Sequence, residues 1–474
     1  MWFLIPLFAA VIVLNNTSVV LEYRWAVAGF PINIYDDLLG IGLILALIPF
    51  KGGKTAVVPP RSHPLLWPIL IVFGAAIAIG LYMASTGLAP MRSIITDARN
   101  MAALPLCILI GYRLTRSFAG CKWQVLGYIA AGVAVAILVS LSFVDKGQQV
   151  YSARNVGLLR EIQYVSRFAG VVAALLLFSV VTDIRFLTPW SRFFVLGIPG
   201  LILGPRGAAI AMADICFGGT FASLGRSDWL AAFVAVVMVF ALVPRGRRVT
   251  GIVITALGIV FLLISLWVGI ILVNRLIPGH DLEAIMADRV LSILPWYQRE
   301  SHRAAAWDTR MPGIFDELAL WAHSPIFGNG FGIQDVDLAN IVSGADLGAS
   351  LRHNAWTSTL AATGLVGFSG MVMVFVGMFV AGWRMVKDRL DGTTVLVGAL
   401  GVLTAVHMAV TGMCTMSFNV QREAMEVGLI CGVVLRCRAM QQAVKASVDE
   451  EARAPAPEAP YVPWRWPGRA SGNV

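Results

Sequence analysis

Apolar runs about one membrane thickness long recur along the chain, at roughly 2–20, 33–50, 65–85, 98–112, 123–144, 163–182, 190–204, 207–222, 229–243, 250–273, 355–383, 394–416 and 422–437. A helix needs about 20 apolar residues to cross a bilayer. Lipid offers no hydrogen-bond partners, so a chain in it satisfies its backbone internally, and helices are the default. The short alternating segments of a β-barrel are absent. The pattern therefore predicts an all-α, polytopic integral membrane protein.

The connectors orient these runs. Basic residues cluster at Lys51, Lys54 and Arg61; at Arg113, Arg116 and Lys122; at Arg185 and Arg192; at Arg245, Arg247 and Arg248; and at Arg384, Lys387 and Arg389. The positive-inside rule places all of them in the cytoplasm. Thirteen crossings cannot keep both of the last two clusters inside. The repair expected is that 207–222 and 229–243 together make one crossing plus an interfacial or re-entrant piece. About 12 transmembrane helices follow, with both termini inside.

Four parts are expected: an N-terminal transmembrane bundle over 1–273, a large outward loop over 274–352, C-terminal transmembrane helices over 353–437, and a disordered cytoplasmic tail over 438–474. Nearly eighty residues exceeds a routine connection, so the loop is read as functional. Within it, Pro312–Ala322 (PGIFDELALWA) has the periodicity of an amphipathic helix. The first run lacks a basic leader and contains Asn15 and Asn16, which favours a retained helix over a cleaved signal.

Composition supports this class: 58% of residues are hydrophobic and 13% charged, against about 25% charged in soluble domains. The net charge of +9 falls in the short connectors, so nucleic acid is not expected as a partner. The six cysteines lie in or beside apolar runs without metal-ligand spacing. Asp335 and Asp337 form a lone DxD-like pair, more typical of a solvated loop than of a metal site. No metal or other cofactor is assigned.

Two stretches carry a recognisable order. The first is Arg310 through Gly332, RMPGIFDELALWAHSPIFGNGFG, with an arginine fifteen residues before Pro325 and a glycine-rich turn after it. The second is His353 through Gly367, HNAWTSTLAATGLVG, where a His-Asn pair opens a helix. This order resembles the C-terminal signature of the O-antigen ligases, O-antigen polymerases and related exopolysaccharide polymerases. A third stretch, Gly204-Pro205-Arg206-Gly207-Ala208, is similar to that superfamily's Ser-Arg-Gly motif at an outward helix end. Pro205 stands where Ser is usual, and Thr363 where an acidic residue is common, so no catalytic carboxylate is assigned there.

The resemblance implies a GT-C-like, metal-independent glycosyltransferase of the bacterial inner membrane, with its active site facing the periplasm. Its donor is a glycan on undecaprenyl diphosphate. A polymerase passes that glycan to another carrier-linked glycan; a ligase passes it to lipid A–core. Membrane lipids are the remaining partners. A more distant alternative is a lipid-linked glycan transporter, which predicts paired half-repeats, and none is seen.

The chemistry requires stabilisation of a departing diphosphate and activation of an acceptor hydroxyl. Arginine binds phosphate bidentately and stays charged. The candidates are Arg206, Arg310, Arg352, Arg160 and Arg167. Arg206 precedes a glycine between two apolar runs, with an interfacial anchor as the alternative. Arg167 lies inside an apolar run and needs a partner, with an ion pair to Glu161 as the alternative. His353, where the loop re-enters the membrane, is the candidate general base, and Asn354 is read as orienting its ring or holding a sugar. The Gly328–Gly332 run offers a backbone nest for an anion or a plain turn. Asp214 and His407, inside apolar runs, suit either a proton relay or a buried interhelical hydrogen bond.

The topology has a direct test. Reporter fusions at Gly313 and Met440 are expected to report opposite compartments; the same compartment for both sinks the topology.

Overall fold

The structure is a computed structural model that describes residues 25–27, 30–32, 34–47, 66–87, 91–152, 156–184, 189–223, 225–276, 287, 305–332, 354–415 and 421–453. Trp25–Val27 and Phe30–Ile32 pair as a short antiparallel hairpin. The other elements are helices: α1 Ile34–Leu47, α2 Leu66–Ser85, α3 Met91–Leu114, α4 Phe118–Ser152, α5 Val156–Thr182, α6 Pro189–Ala222, α7 Arg226–Leu242, α8 Arg248–Leu276, α9 Ala305–His323, α10 Ala355–Asp388, α11 Gly392–Cys414 and α12 Gln421–Arg453.

The helices match the apolar runs closely. Among the described residues, five meet the length and apolarity needed to cross a membrane: Ser93–Leu114, Phe118–Leu141, Ala355–Asp388, Gly392–Cys414 and Glu423–Asp449. A sixth arises if Arg226–Leu242 and Arg245–Ala256, bent by 119°, count as one broken span. This is the footing for a multi-pass membrane protein. The run expected at 2–20 lies outside the described residues.

Bundle assembly relies on close backbone approach. Gly428 and Gly432 of α12 lie against α3, where an added Cβ meets Leu104 O at 2.4 Å and Ile108 O at 2.3 Å. With lipid on all sides, helices associate through such contacts between small residues rather than through a hydrophobic drive. Buried Arg436 donates from Nε to Thr115 O at 3.1 Å and lies over the Tyr112 ring, locking the same pair further along.

The bundle has two distinguishable ends. At one, Arg247 donates to Thr182 O, Arg206 pairs with Asp183, and Ile184 lies beside Gly392. At the other, Ala355 N donates to Thr415 O and Asn354 Nδ2 to Met413 O. We call these the basic end and the loop end.

Two expectations are corrected here. Gly204 has φ +68° and breaks α6, so residues 205–222 run from the basic end to the loop end. Helix α7 then returns, with Asp228 at the loop end and Val243 at the basic end. Each run therefore traverses the bundle separately. The run that does not is 189–203, which starts five residues after Ile184 and ends three residues before Arg206 of the Arg206–Asp183 pair. The tail boundary also moves: α12 is helical to Arg453, and Asp388 holds both Arg438 and Lys445 of it, the latter at 3.0 Å.

Helix α10 is broken at Gly364 (φ +63°, ψ −169°). A break strands carbonyls before it and amides after it, which is costly in an apolar setting unless protein fills in. The turn after α9 does so. Asn329 N and Gly330 N donate to Ala361 O and Ala362 O at 3.0 and 2.9 Å, while Leu365 N and Val366 N donate to Pro325 O and Ile326 O at 2.9 and 3.1 Å. Asn329 Nδ2 adds bonds to Leu320 O and Ala361 O.

A methyl group at Gly364 meets Ile326 O at 2.3 Å on top of an unfavourable φ. Gly364→Ala should therefore lose on the order of 2 kcal/mol or more of stability. Gly218→Ala, with nothing within 4 Å of the added carbon, should be neutral or mildly stabilising. Thermal unfolding of both variants in detergent checks the contrast.

Candidate functional site

The loop end gathers the chemistry-bearing side chains. Asn354 is the N-cap of α10: its Oδ1 accepts from Trp356 N at 2.9 Å and Thr357 N at 3.2 Å, and its Nδ2 reaches Met413 O at 3.0 Å. Its geometry is that of a cap tying α10 to the end of α11, not of a group extended toward a ligand. Thr357 Oγ1 donates to Glu317 Oε2 of α9, and Glu317 is 3% exposed. Trp356 Nε1 donates to Ala409 O at 3.0 Å. The start of α10 is thus tied on both sides, to α11 and to the loop helix.

The glycine-rich turn is not a nest for an anion. Its five amides all donate within the protein: Gly328 to Ser324 O at 2.9 Å, Asn329 and Gly330 to the α10 break, Phe331 to Ala76 O at 3.4 Å, and Gly332 to Asp97 Oδ2 at 3.2 Å. The turn holds the loop helix against α2, α3 and α10.

Arg167 lies deep in α5 at 3% exposure, with Nε 3.2 Å from Asp228 Oδ1 and Nη1 2.6 Å from Glu423 Oε2. Two of its partners come from α7 and α12; the side chain of Glu161 lies outside the described residues. Two carboxylates on one guanidinium more than offset its charge, so Arg167 serves here as an interhelical tie rather than as an open phosphate site. His407 is fully buried and packs against Gly170, one turn beyond Arg167, where a Cβ meets its Cε1 at 2.9 Å. No hydrogen bond joins His407 to Asp214, so the two form no direct relay.

Arg206 departs from the expected arrangement. It is 63% exposed and bound through Nη2 to Asp183 Oδ1 at 2.7 Å, at the basic end. From Arg167 to Thr182 is fifteen residues of helix, about 22 Å, so Arg206 does not share a cavity with the loop-end residues. The Gly204 break returns the chain to the basic end before Arg206, which hydropathy alone does not reveal. The backbones of Arg160 and Arg310 sit in α5 and α9, Arg310 seven residues before Glu317; their side chains lie outside the described residues. Arg352, His353 and the Asp335–Asp337 pair lie outside them altogether.

Glu317, Asp97, Asp228 and Glu423 were not singled out from sequence. Glu317 was discoverable: Gly313, Glu317 and Leu320 share the buried face of α9 at the 4-3 spacing of a helix, so the amphipathic pattern itself carries a carboxylate inward.

Residues 211–372 match the family model described as O-antigen ligase. Over this stretch the chain is similar to the O-antigen ligase/polymerase superfamily. The matched region contains α9, the glycine-rich turn and the break in α10, and it excludes Arg160, Arg167 and Arg206. A comparison with curated proteins finds no match. The match supports a membrane protein that transfers a glycan, with a lipid-linked glycan and an acceptor as its general partners.

The Arg167 tie has a quantitative consequence. Removing one member of a buried ion pair strands the others, at about 3–5 kcal/mol. Arg167→Met should destabilise the protein by that order. Combining it with Asp228→Leu and Glu423→Leu should recover most of the loss, read as Tm in detergent. A single variant as stable as the parent removes the tie from the argument.

Proposed function

We propose that the chain is an undecaprenyl-diphosphate-dependent glycosyltransferase that elongates O-antigen or exopolysaccharide chains at the periplasmic face of the bacterial inner membrane. One observation carries this reading. The family match spans the two signature stretches, and these hydrogen-bond to each other through Pro325–Gly330 and Ala361–Val366. The loop helix is thereby fixed at the mouth of α10.

In this reading His353 accepts the proton of the acceptor hydroxyl as it attacks the anomeric carbon. Arg310, Arg352 and Arg160 stabilise the leaving diphosphate in place of a metal, since the guanidinium fork matches phosphate and never deprotonates. Asn354 caps the helix that follows His353 in the chain. Arg206, at the basic end, is left out of the set. The description of the matched family favours a second reading in which the acceptor is lipid A–core.

A transfer assay with purified protein, offering a carrier-linked repeat unit and lipid A–core as competing acceptors, separates the two. Elongation of the repeat unit is expected. His353→Ala should lose about 10²–10⁴-fold in transfer while donor binding persists. His353→Gln keeps a hydrogen-bonding side chain without a base; wild-type transfer by this variant assigns the proton to another group. Inactivation by EDTA with rescue by Mg²⁺ counts against arginine as the counter-charge.

A further inference from the structure

Between α5, α6, α7 and α8 lies a cavity of about 500 Å³, within the roughly 300–1,000 Å³ of small-molecule sites. It runs along α6 from Ile210 to Phe221, a length of about 16 Å, an elongated apolar slot that an extended alkyl chain can follow. Its wall reaches the outer surface through Phe233 and Leu263, which are 63% and 54% exposed.

The lining is apolar except at a few atoms, and two of these are engaged. Trp229 Nε1 donates to Thr220 O at 3.0 Å, and Thr220 Oγ1 to Cys216 O at 2.9 Å. Two remain. Asp214 Oδ2 and Thr255 Oγ1 are buried atoms without a hydrogen-bond partner, and both residues line the cavity. Thr255 is 5% exposed. Asp214 stands on α6 and Thr255 on α8, on two walls of the same cavity. Buried polar atoms of a native protein are nearly always satisfied, and an ionisable residue inside an apolar run marks a function by default.

We infer that this cavity binds a single-chain amphiphile whose head group donates hydrogen bonds and carries no negative charge, the head resting between Asp214 and Thr255 and the chain lying along α6. A primary amine satisfies both acceptors and pairs with the carboxylate; an alcohol satisfies them without the charge. A carboxylate or phosphate head faces like charge in a site with little water, which is strongly disfavoured. The site is separate from the loop-end residues and does not depend on the transfer reaction.

Binding of radiolabelled hexadecylamine to the full-length protein in detergent tests this, with hexadecanol and palmitate as competitors. Saturable binding is expected, with hexadecanol weaker and palmitate at least tenfold weaker than the amine. Asp214→Asn should weaken the amine at least tenfold and erase the preference over the alcohol. Ala213→Phe, which fills the cavity, should abolish binding of all three. Thr255→Val, which removes only the hydroxyl, should weaken the amine severalfold. Equal binding of palmitate and amine by the unaltered protein overturns the inference, as does amine binding unchanged in both Thr255→Val and Ala213→Phe. The head-group comparison stands even if Asp214→Asn fails to fold.

Discussion

The loop end depends on one constraint: a peptide group away from water has to find a partner. Helix α10 breaks at Gly364, and the break strands two carbonyls and two amides. The turn at Pro325–Gly330 supplies complementary groups, so each segment completes the other's hydrogen bonding. Removing the turn from α10 leaves four unsatisfied backbone groups at once, each worth about 1–3 kcal/mol. This explains why glycine recurs on both sides. At Gly328 and Gly364 φ is positive, and each glycine lies where the other segment's backbone leaves no room for a side chain.

From this clasp the remaining geometry follows. With the turn fixed, α9 lies beside the start of α10, and its buried carboxylate Glu317 meets Thr357. Asn354 joins that start to the end of α11, while Arg167, Asp228 and Glu423 tie α5, α7 and α12 at the same end. The loop helix and α11 thereby converge on the start of α10, which is held from both sides.

Much of this architecture was legible in the sequence, because membrane helices announce themselves by hydropathy. Eleven of the described helices correspond to expected apolar runs, and PGIFDELALWA emerges as part of α9. What pattern reading missed was set by pairing across long separations. Arg167 needed a partner, but its partners stand 61 and 256 residues further on, and no local periodicity points to them. The glycine-rich turn reads equally as an anion nest or as a plain turn until its amides are seen on α10. Gly204 joins two apolar runs into one interrupted helix, and that single residue moved Arg206 to the opposite end. The Gly428–Gly432 spacing, by contrast, is a local signal for close helix approach that was there to be used.

The contact between α3 and α12 has a consequence for how the protein is made. Helix α3 ends at Leu114 and its partner begins at Gln421, so 307 residues separate them. At about 5–20 residues per second, synthesis leaves α3 without its partner for about 15–60 s. Over the same interval Arg167 has Asp228 but not Glu423. The nascent protein therefore holds an incomplete ion-pair cluster and an unoccupied glycine-lined groove in the membrane until α12 arrives. Closure of this groove waits for the insertion of α12, and a chain truncated before α12 presents that groove to the cell's membrane quality control.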